Sequence, residues 1–219
     1  MAVIDSGVHA EHPHVGGVAG GVAIELDGET HTDYLDRLGH GTAVTAAILE
    51  KAPDVDIRIV KVFGRKLSTS TGVLVKAIDW AVEQEARLIN LSLGTVNSES
   101  DLILWASVER AAEQGALIVS PFENEGRVWL PGSFAGVAGV TLDWRCPRDQ
   151  LRVAFDSDGE GFFSASGFPR PIPGVPPDTN LKGVSFAAAN VTGMLACLLE
   201  DRPEIRSLEN VWPLLGPRG

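Results

Sequence analysis

Ala2-Val3-Ile4-Asp5-Ser6-Gly7 is a short apolar run that ends on a carboxylate and a glycine. Unbroken apolar residues bounded by a turn signal fit a strand buried on both faces, which puts Asp5 at the C-terminal end of that strand. Open α/β sheets place their chemistry at that end. Further on, Gly39-His40-Gly41-Thr42 leads into Ala43 to Leu49, an alanine-rich stretch of helical character that stops before Pro53. His40 is therefore expected at a helix N-terminus. Ile57 to Phe63 alternates and is β-branched, which reads as a strand. The stretch carrying Val73, Leu74, Ala77, Ile78, Ala81 and Val82 has its apolar residues on one helical face. Leu88 to Leu91 reads as another strand, and a helix from about Asp101 to Gln114 is capped by Gly115. Ala116 to Val119 and Val137 to Val140 complete the alternation. Strands alternating with helices require right-handed crossovers, so the fold class is α/β, three layers around a mostly parallel, doubly wound sheet.

From Thr141 to Asp178 the pattern changes to short alternating pieces, Leu151 to Phe155 and Phe162 to Ala165, and then to the proline-rich run 169–177. These predict a hairpin and a stiff extended loop. Gly183-Val184-Ser185 opens an apolar helix to about Leu199 with few charges, expected to be central and buried. A chain of 219 residues, 44% hydrophobic and 21% charged, fits one globular domain spanning residues 1–219.

Acidic side chains outnumber basic ones 29 to 18, a formal charge of −11, and no Lys/Arg cluster forms the stripe a polyanion needs. The acidity reads as solubility or as a face attracting basic peptides, and nucleic acid and anionic membranes are not expected partners. No apolar run approaches the roughly 20 residues of a membrane span, and no basic segment followed by an apolar core opens the chain. Two cysteines, Cys146 and Cys197, are too few for a disulfide scaffold or a zinc quartet. Both observations favour a reducing, cytoplasmic setting, although a trimmed mature enzyme would read the same.

Hydrolysing an amide with serine needs a base within reach of the hydroxyl, a carboxylate holding the imidazole tautomer, and donors for the oxyanion. Asp5, His40, Ser185 and Asn124 supply one candidate for each role, on loops that a parallel sheet gathers at one edge. Five segments, Ala2-Val3-Ile4-Asp5-Ser6-Gly7-Val8 with His12-Pro13, Asp36-Arg37-Leu38-Gly39-His40-Gly41-Thr42, Asn90-Leu91-Ser92-Leu93-Gly94, Asn124-Glu125-Gly126 and Gly183-Val184-Ser185-Phe186-Ala187-Ala188, resemble the subtilisin-like serine proteases in content and order. The resemblance implies a serine endopeptidase working through an acyl-enzyme on a peptide or protein substrate, with no cofactor. Ser185 would be the nucleophile, His40 the base, Asp5 its orienting group, and the Asn124 side chain with the Ser185 N–H the oxyanion hole. In subtilisin, losing one such donor costs about 3–4 kcal/mol. The resemblance also makes Ser92-Leu93-Gly94 and the segment of Lys66, Leu67 and Ser68 the two edges that pair an extended substrate. Ser120 to Glu123 would then flank the pocket for the residue before the scissile bond.

Departures refine this. Val184, Ala189 and Asn190 replace the family's usual Thr, Pro and His, none of which transfers a proton. No propeptide or calcium loop is expected: only Glu50, Asp54 and Asp56 lie between the His40 helix and Ile57, without the spacing of an oxygen cage. Glu123 stands where glycine is usual. Its carboxylate is expected against the pocket wall, with Glu125 adding to a field that favours Arg or Lys before the scissile bond; the competing reading pairs Glu123 with Arg127 and leaves a small pocket. Compact loops lean towards a dedicated precursor-peptide processing protease. The competing class is a catalytically silent peptide-binding module on the same fold.

Other features carry blander readings. His9, His12 and His14 read as a solvated loop rather than a metal site. Asp156, Asp158 and Glu160 read as a charged hairpin turn, and Gly16 to Gly21 as a flexible turn rather than a phosphate cradle. Trp80 belongs to a helical core pattern, while Trp105, Trp129 and Trp144 stay open between core and substrate platform.

Overall fold

A computed structural model describes residues 1–155 and 159–215. In chain order the elements are β1 (Ala2–Asp5), β2 (Gly20–Ile24), β3 (Thr30–His31), α1 (His40–Leu49), β4 (Arg58–Lys61), α2 (Thr71–Glu83), β5 (Leu88–Leu91) and α3 (Asp101–Glu113). They continue with β6 (Leu117–Pro121), β7 (Glu123–Asn124), β8 (Arg127–Val128), β9 (Ala138–Leu142), β10 (Leu151–Phe155), β11 (Gly161–Ala165), α4 (Val184–Leu199) and α5 (Leu208–Val211). Among the described residues one sheet has nine strands in the order β10-β11-β9-β6-β5-β1-β4-β2-β3. Its central pairings are parallel, and antiparallel pairs close the two edges, β10 on β11 and β3 on β2.

The strand pleat divides the core. Ala2 and Ile4 of β1 join Ile89, Leu91 and the inner faces of α2 and α3, whereas Val3 joins α1 and Phe186 of α4 on the other side. Both faces are therefore covered, as the apolar strand runs require. α4 is the central helix: eleven of its sixteen residues are buried, and it packs on α1, β5, β6 and β9. This is the α/β architecture expected from the alternation of elements.

Two expectations need correction. Gly16 to Gly21 is not wholly a turn, because Gly20 and Gly21 open β2, which pairs parallel with β4. The glycine serves close approach there: a Cβ on Gly21 would lie 2.5 Å from the Ile59 carbonyl oxygen. The short hairpin β7–β8 was also not foreseen. The 151–165 hairpin pairs as expected, but Asp156 and Asp158 of its charged turn lie outside the described residues. No helix among the described residues is long and apolar enough to cross a membrane.

Candidate active site

β1 ends on Asp5, which is fully buried. Its Oδ1 accepts from the Ser6 N–H at 2.7 Å and lies 2.7 Å from His40 Nδ1. His40 is the first residue of α1, and the approach depends on Gly41, where a Cβ would lie 2.2 Å from the Gly7 carbonyl oxygen and 3.2 Å from Asp5. A side chain there would push α1 off β1 and part the pair. His40 keeps only 13% of its side chain exposed, and that edge faces a cleft of 1140 Å³.

Ser185 lines the same cleft from the first turn of α4, behind Gly183 at φ 145°. First-turn N–H groups have no acceptor within the helix, so the Ser185 N–H is available to an oxyanion. Its hydroxyl donates to the Ser92 carbonyl at 3.0 Å rather than to His40. A buried polar chain fixes this end of α4: Thr192 Oγ1 donates to Asn90 Oδ1 at 2.9 Å, Asn90 Nδ2 to Ser92 Oγ at 2.8 Å, and Ser92 Oγ to the Ser185 carbonyl at 3.2 Å. Asn190, in place of a histidine, donates to the carbonyls of Ser166 and Phe168. Asn124, in β7, lines the cleft as well.

Burial pushes the His40 imidazolium towards a lower pKa, but the hydrogen bond and charge of Asp5, with a further contribution from Asp36, outweigh it and the value is raised. Asp36 is half-buried, and that burial alone would raise its pKa. Hydrogen bonds from Thr42 Oγ1 and from the N–H groups of Thr42, Leu38 and Gly39 reverse that, and the value is lowered. Ser6 ties the two carboxylates together, donating from Oγ to Asp36 at 2.9 Å and accepting from the Gly41 N–H.

The sequence profile of the subtilase family matches residues 1–141. The chain belongs to the subtilase family. It is 32% identical over 222 residues to a thermostable alkaline protease of Halalkalibacterium halodurans, covering 93% of this chain and 57% of that protein. It is 29% identical to subtilisin E of Bacillus subtilis, covering 89% and 51%. The chain thus spans about half the length of these curated relatives. Among solved structures, the nisin leader peptidase NisP from Lactococcus lactis superimposes with a TM-score of 0.74 at 19% identity, covering all of this chain and 82% of that one. The prenylagaramide maturation protease PagA does so with a TM-score of 0.63 at 25% identity, covering 94% and 77%.

In this subtilase the cleft gathers most of the expected substrate-binding residues but not all of them. Ser92, Leu93, Gly94, Leu67, Ser68, Glu123 and Glu125 line it. Ser120 does not: it is fully buried behind the wall, its hydroxyl donating to the Leu93 carbonyl. Lys66 does not either, and turns to a neighbouring hollow. Neither expected edge is a regular strand, since 66–70 and 92–94 are extended or bent segments with their backbone unpaired in the sheet. Glu123 lines the cleft wall as expected, but it does not pair with Arg127. Its Oε1 accepts from the Gly126 N–H at 3.0 Å, closing its own hairpin turn, and no ion pair with Arg127 forms among the described residues. The reason is local: Glu125 at φ 53° and Gly126 at φ 75° turn the backbone so that the Gly126 N–H points back at residue 123.

Of the tryptophans, Trp129 and Trp144 line the cleft, and Trp105 packs edge-on against Phe134. Trp129 sits against Gly94, where a Cβ would be 3.0 Å from its Cε3, and its N–H bonds to the Phe122 carbonyl. The roles of Asp36 and Trp129 were not read from the sequence. Asp36 stood inside a quoted motif four residues before His40, and that spacing was its only signal.

His12 and His14 stack edge-on at 5.3 Å. Among the described residues no group of three or more His, Cys, Asp or Glu could hold a metal ion. Glu50, one of the few carboxylates after α1, is engaged by Lys51 and Arg148. The melting temperature is expected to stay within about 2 °C when calcium is replaced by a chelator; a large downward shift in a thermal unfolding scan would refute this.

Proposed function

We propose that the protein is a serine endopeptidase in which Ser185 is the nucleophile, His40 the general base and Asp5 the group that holds His40. The observation that carries this reading is the buried Asp5–His40 contact of 2.7 Å at the lip of a cleft that also exposes Ser185 and Asn124. With Nδ1–H donated to Asp5, His40 presents a lone pair at Nε2. On substrate binding the Ser185 hydroxyl leaves the Ser92 carbonyl and gives its proton to Nε2 as Oγ attacks the scissile carbonyl carbon. The oxygen takes up the negative charge between Asn124 Nδ2 and the Ser185 N–H. His40 then returns the proton to the leaving amine, the C–N bond breaks, and water repeats the sequence on the acyl-enzyme. A fluorophosphonate should label the wild-type protein stoichiometrically; no labelling of folded protein would favour the silent binding module.

The same reading makes the enzyme selective. The residue that carries the attacked carbonyl lies beside Asn124, so its side chain meets Glu123, Gly94 and Trp129. With the indole on Gly94 and the Glu123 carboxylate turned to its own Gly126 N–H, this reading takes the small-pocket alternative over an arginine or lysine there. In a peptide library, cleavage is expected after glycine, alanine or serine, with Trp129→Gly widening acceptance to large apolar residues; efficient wild-type cleavage after Phe or Leu would overturn this. A narrow pocket suits processing of a dedicated precursor, and the fold likeness to a leader peptidase and a maturation protease supports that role. Casein should be a poor substrate beside the cognate precursor.

Asp36 is a positioning residue in this mechanism. Activity needs neutral His40, so the rate rises through the His40 pKa, which lies above the usual histidine value. Asp36→Asn removes a charge that raises that pKa, so the acid limb of kcat/KM should move to lower pH by a few tenths of a unit. A purely structural role would lower the plateau and leave the midpoint in place.

A further inference from the structure

Lys66, displaced from the cleft, lines a hollow of 280 Å³ with Lys61, Arg65, Ile24, Glu25 and Leu26. The hollow adjoins the catalytic cleft, because Phe63 and Ser68 belong to the walls of both. Three cations meet one carboxylate there, in a chain whose formal charge is −11. That carboxylate, Glu25, is already engaged by His31 at 2.8 Å. Lys61 is only 6% exposed, and its ammonium donates to the Leu35 carbonyl at 2.7 Å. Arg65 and Lys66 are exposed and form no ion pair among the described residues. Other arginines are committed, Arg37 to Asp33, Arg110 to Asp79, Arg148 to Glu50 and Arg152 to Asp143, while the exposed Arg127 and Arg145, which also form no ion pair among the described residues, do not line this hollow.

Resting on the endopeptidase reading, we infer that this hollow is a second recognition site that takes an Asp or Glu side chain of the substrate, a few residues upstream of the scissile bond. The direction follows from the machinery: Asn124 and Ser185 mark where the attacked carbonyl sits, and Phe63 and Ser68, which belong to both walls, lead from the acyl side of the cleft into the hollow. An incoming carboxylate meets unpaired donors of opposite charge at a partly enclosed site, where attraction is screened less than on open surface. It also gives the enzyme selectivity that a small pocket beside the nucleophile cannot supply, because glycine and alanine are common in any protein.

The test uses fluorogenic peptides randomised at the four residues upstream of the cleaved bond, with wild type and the Arg65→Gln/Lys66→Gln variant. Wild type should prefer one acidic position by about fivefold to tenfold in kcat/KM over the matched Gln or Asn peptide. The preference should shrink at high salt and vanish in the double variant, while fluorophosphonate labelling stays unchanged in both. Labelling without an acidic preference, or a preference that survives the double variant, overturns the inference and leaves the endopeptidase reading standing. Absence of labelling in wild type overturns both.

Discussion

Ser185→Ala is expected to lower kcat/KM by about 10⁶-fold, the size of effect known for the corresponding loss in subtilisin, or about 8 kcal/mol of transition-state stabilisation. The magnitude follows from what else remains. Without the hydroxyl, the Asp5–His40 pair has no nucleophile to activate, and water entering the cleft is not held by the Thr192, Asn90 and Ser92 chain that fixes the start of α4. The oxyanion donors alone leave a residual rate above that in water. The substitution removes one hydrogen bond, to the Ser92 carbonyl, and opens no cavity, so the melting temperature should move by only about 2–4 °C. Steady-state cleavage of a good peptide together with thermal unfolding separates chemistry from folding. A variant that kept even a hundredth of the wild-type rate would exclude Ser185 as nucleophile.

The elements that gather the site were legible because each announces itself locally. β1 is an apolar run up to Asp5, β5 is apolar but for Asn90, and α1 and α4 begin at glycines before apolar helical stretches, so Asp5, His40 and Ser185 could be placed at element ends. What could not be read depends on contacts remote in sequence. β2 carries two glycines where propensity argues against a strand; it exists because β4 is beside it and Tyr34 covers it. Ser120 looked like a pocket residue, yet the alternation of β6 turns it inward under Leu93, and a one-residue difference in facing decides such a case. Lys66 and Leu67 are neighbours in sequence but line different hollows, because the chain bends over 64–67. Trp129 was ambiguous until the β7–β8 hairpin carried it back onto Gly94, 35 residues earlier in the chain.

Asp5→Asn should cost about 10⁴-fold in kcat/KM, or about 5.5 kcal/mol, with little loss of fold. The carboxylate has no proton to give and accepts from His40 Nδ1, which fixes the tautomer with its lone pair on Nε2. An asparagine placed there can offer its NH₂ to Nδ1 instead, so the ring keeps its proton on Nε2 and cannot receive one from Ser185. That NH₂ would stand where Oδ1 also accepts from the Ser6 N–H, so the turn after β1 loses one hydrogen bond as well, a small cost to the fold. The imidazolium that forms as Ser185 loses its proton also loses its buried counter-charge, and Asp36 alone does not replace it. With the hydrogen bond and charge of Asp5 gone, burial dominates at His40 and its pKa falls. The residual activity should therefore keep its plateau to lower pH than wild type even as its height collapses. A pH profile of kcat/KM tests both consequences together. A loss below tenfold would show that Asp5 does not orient the base, and a large loss with an unmoved acid limb would mean that its charge does not set the His40 titration.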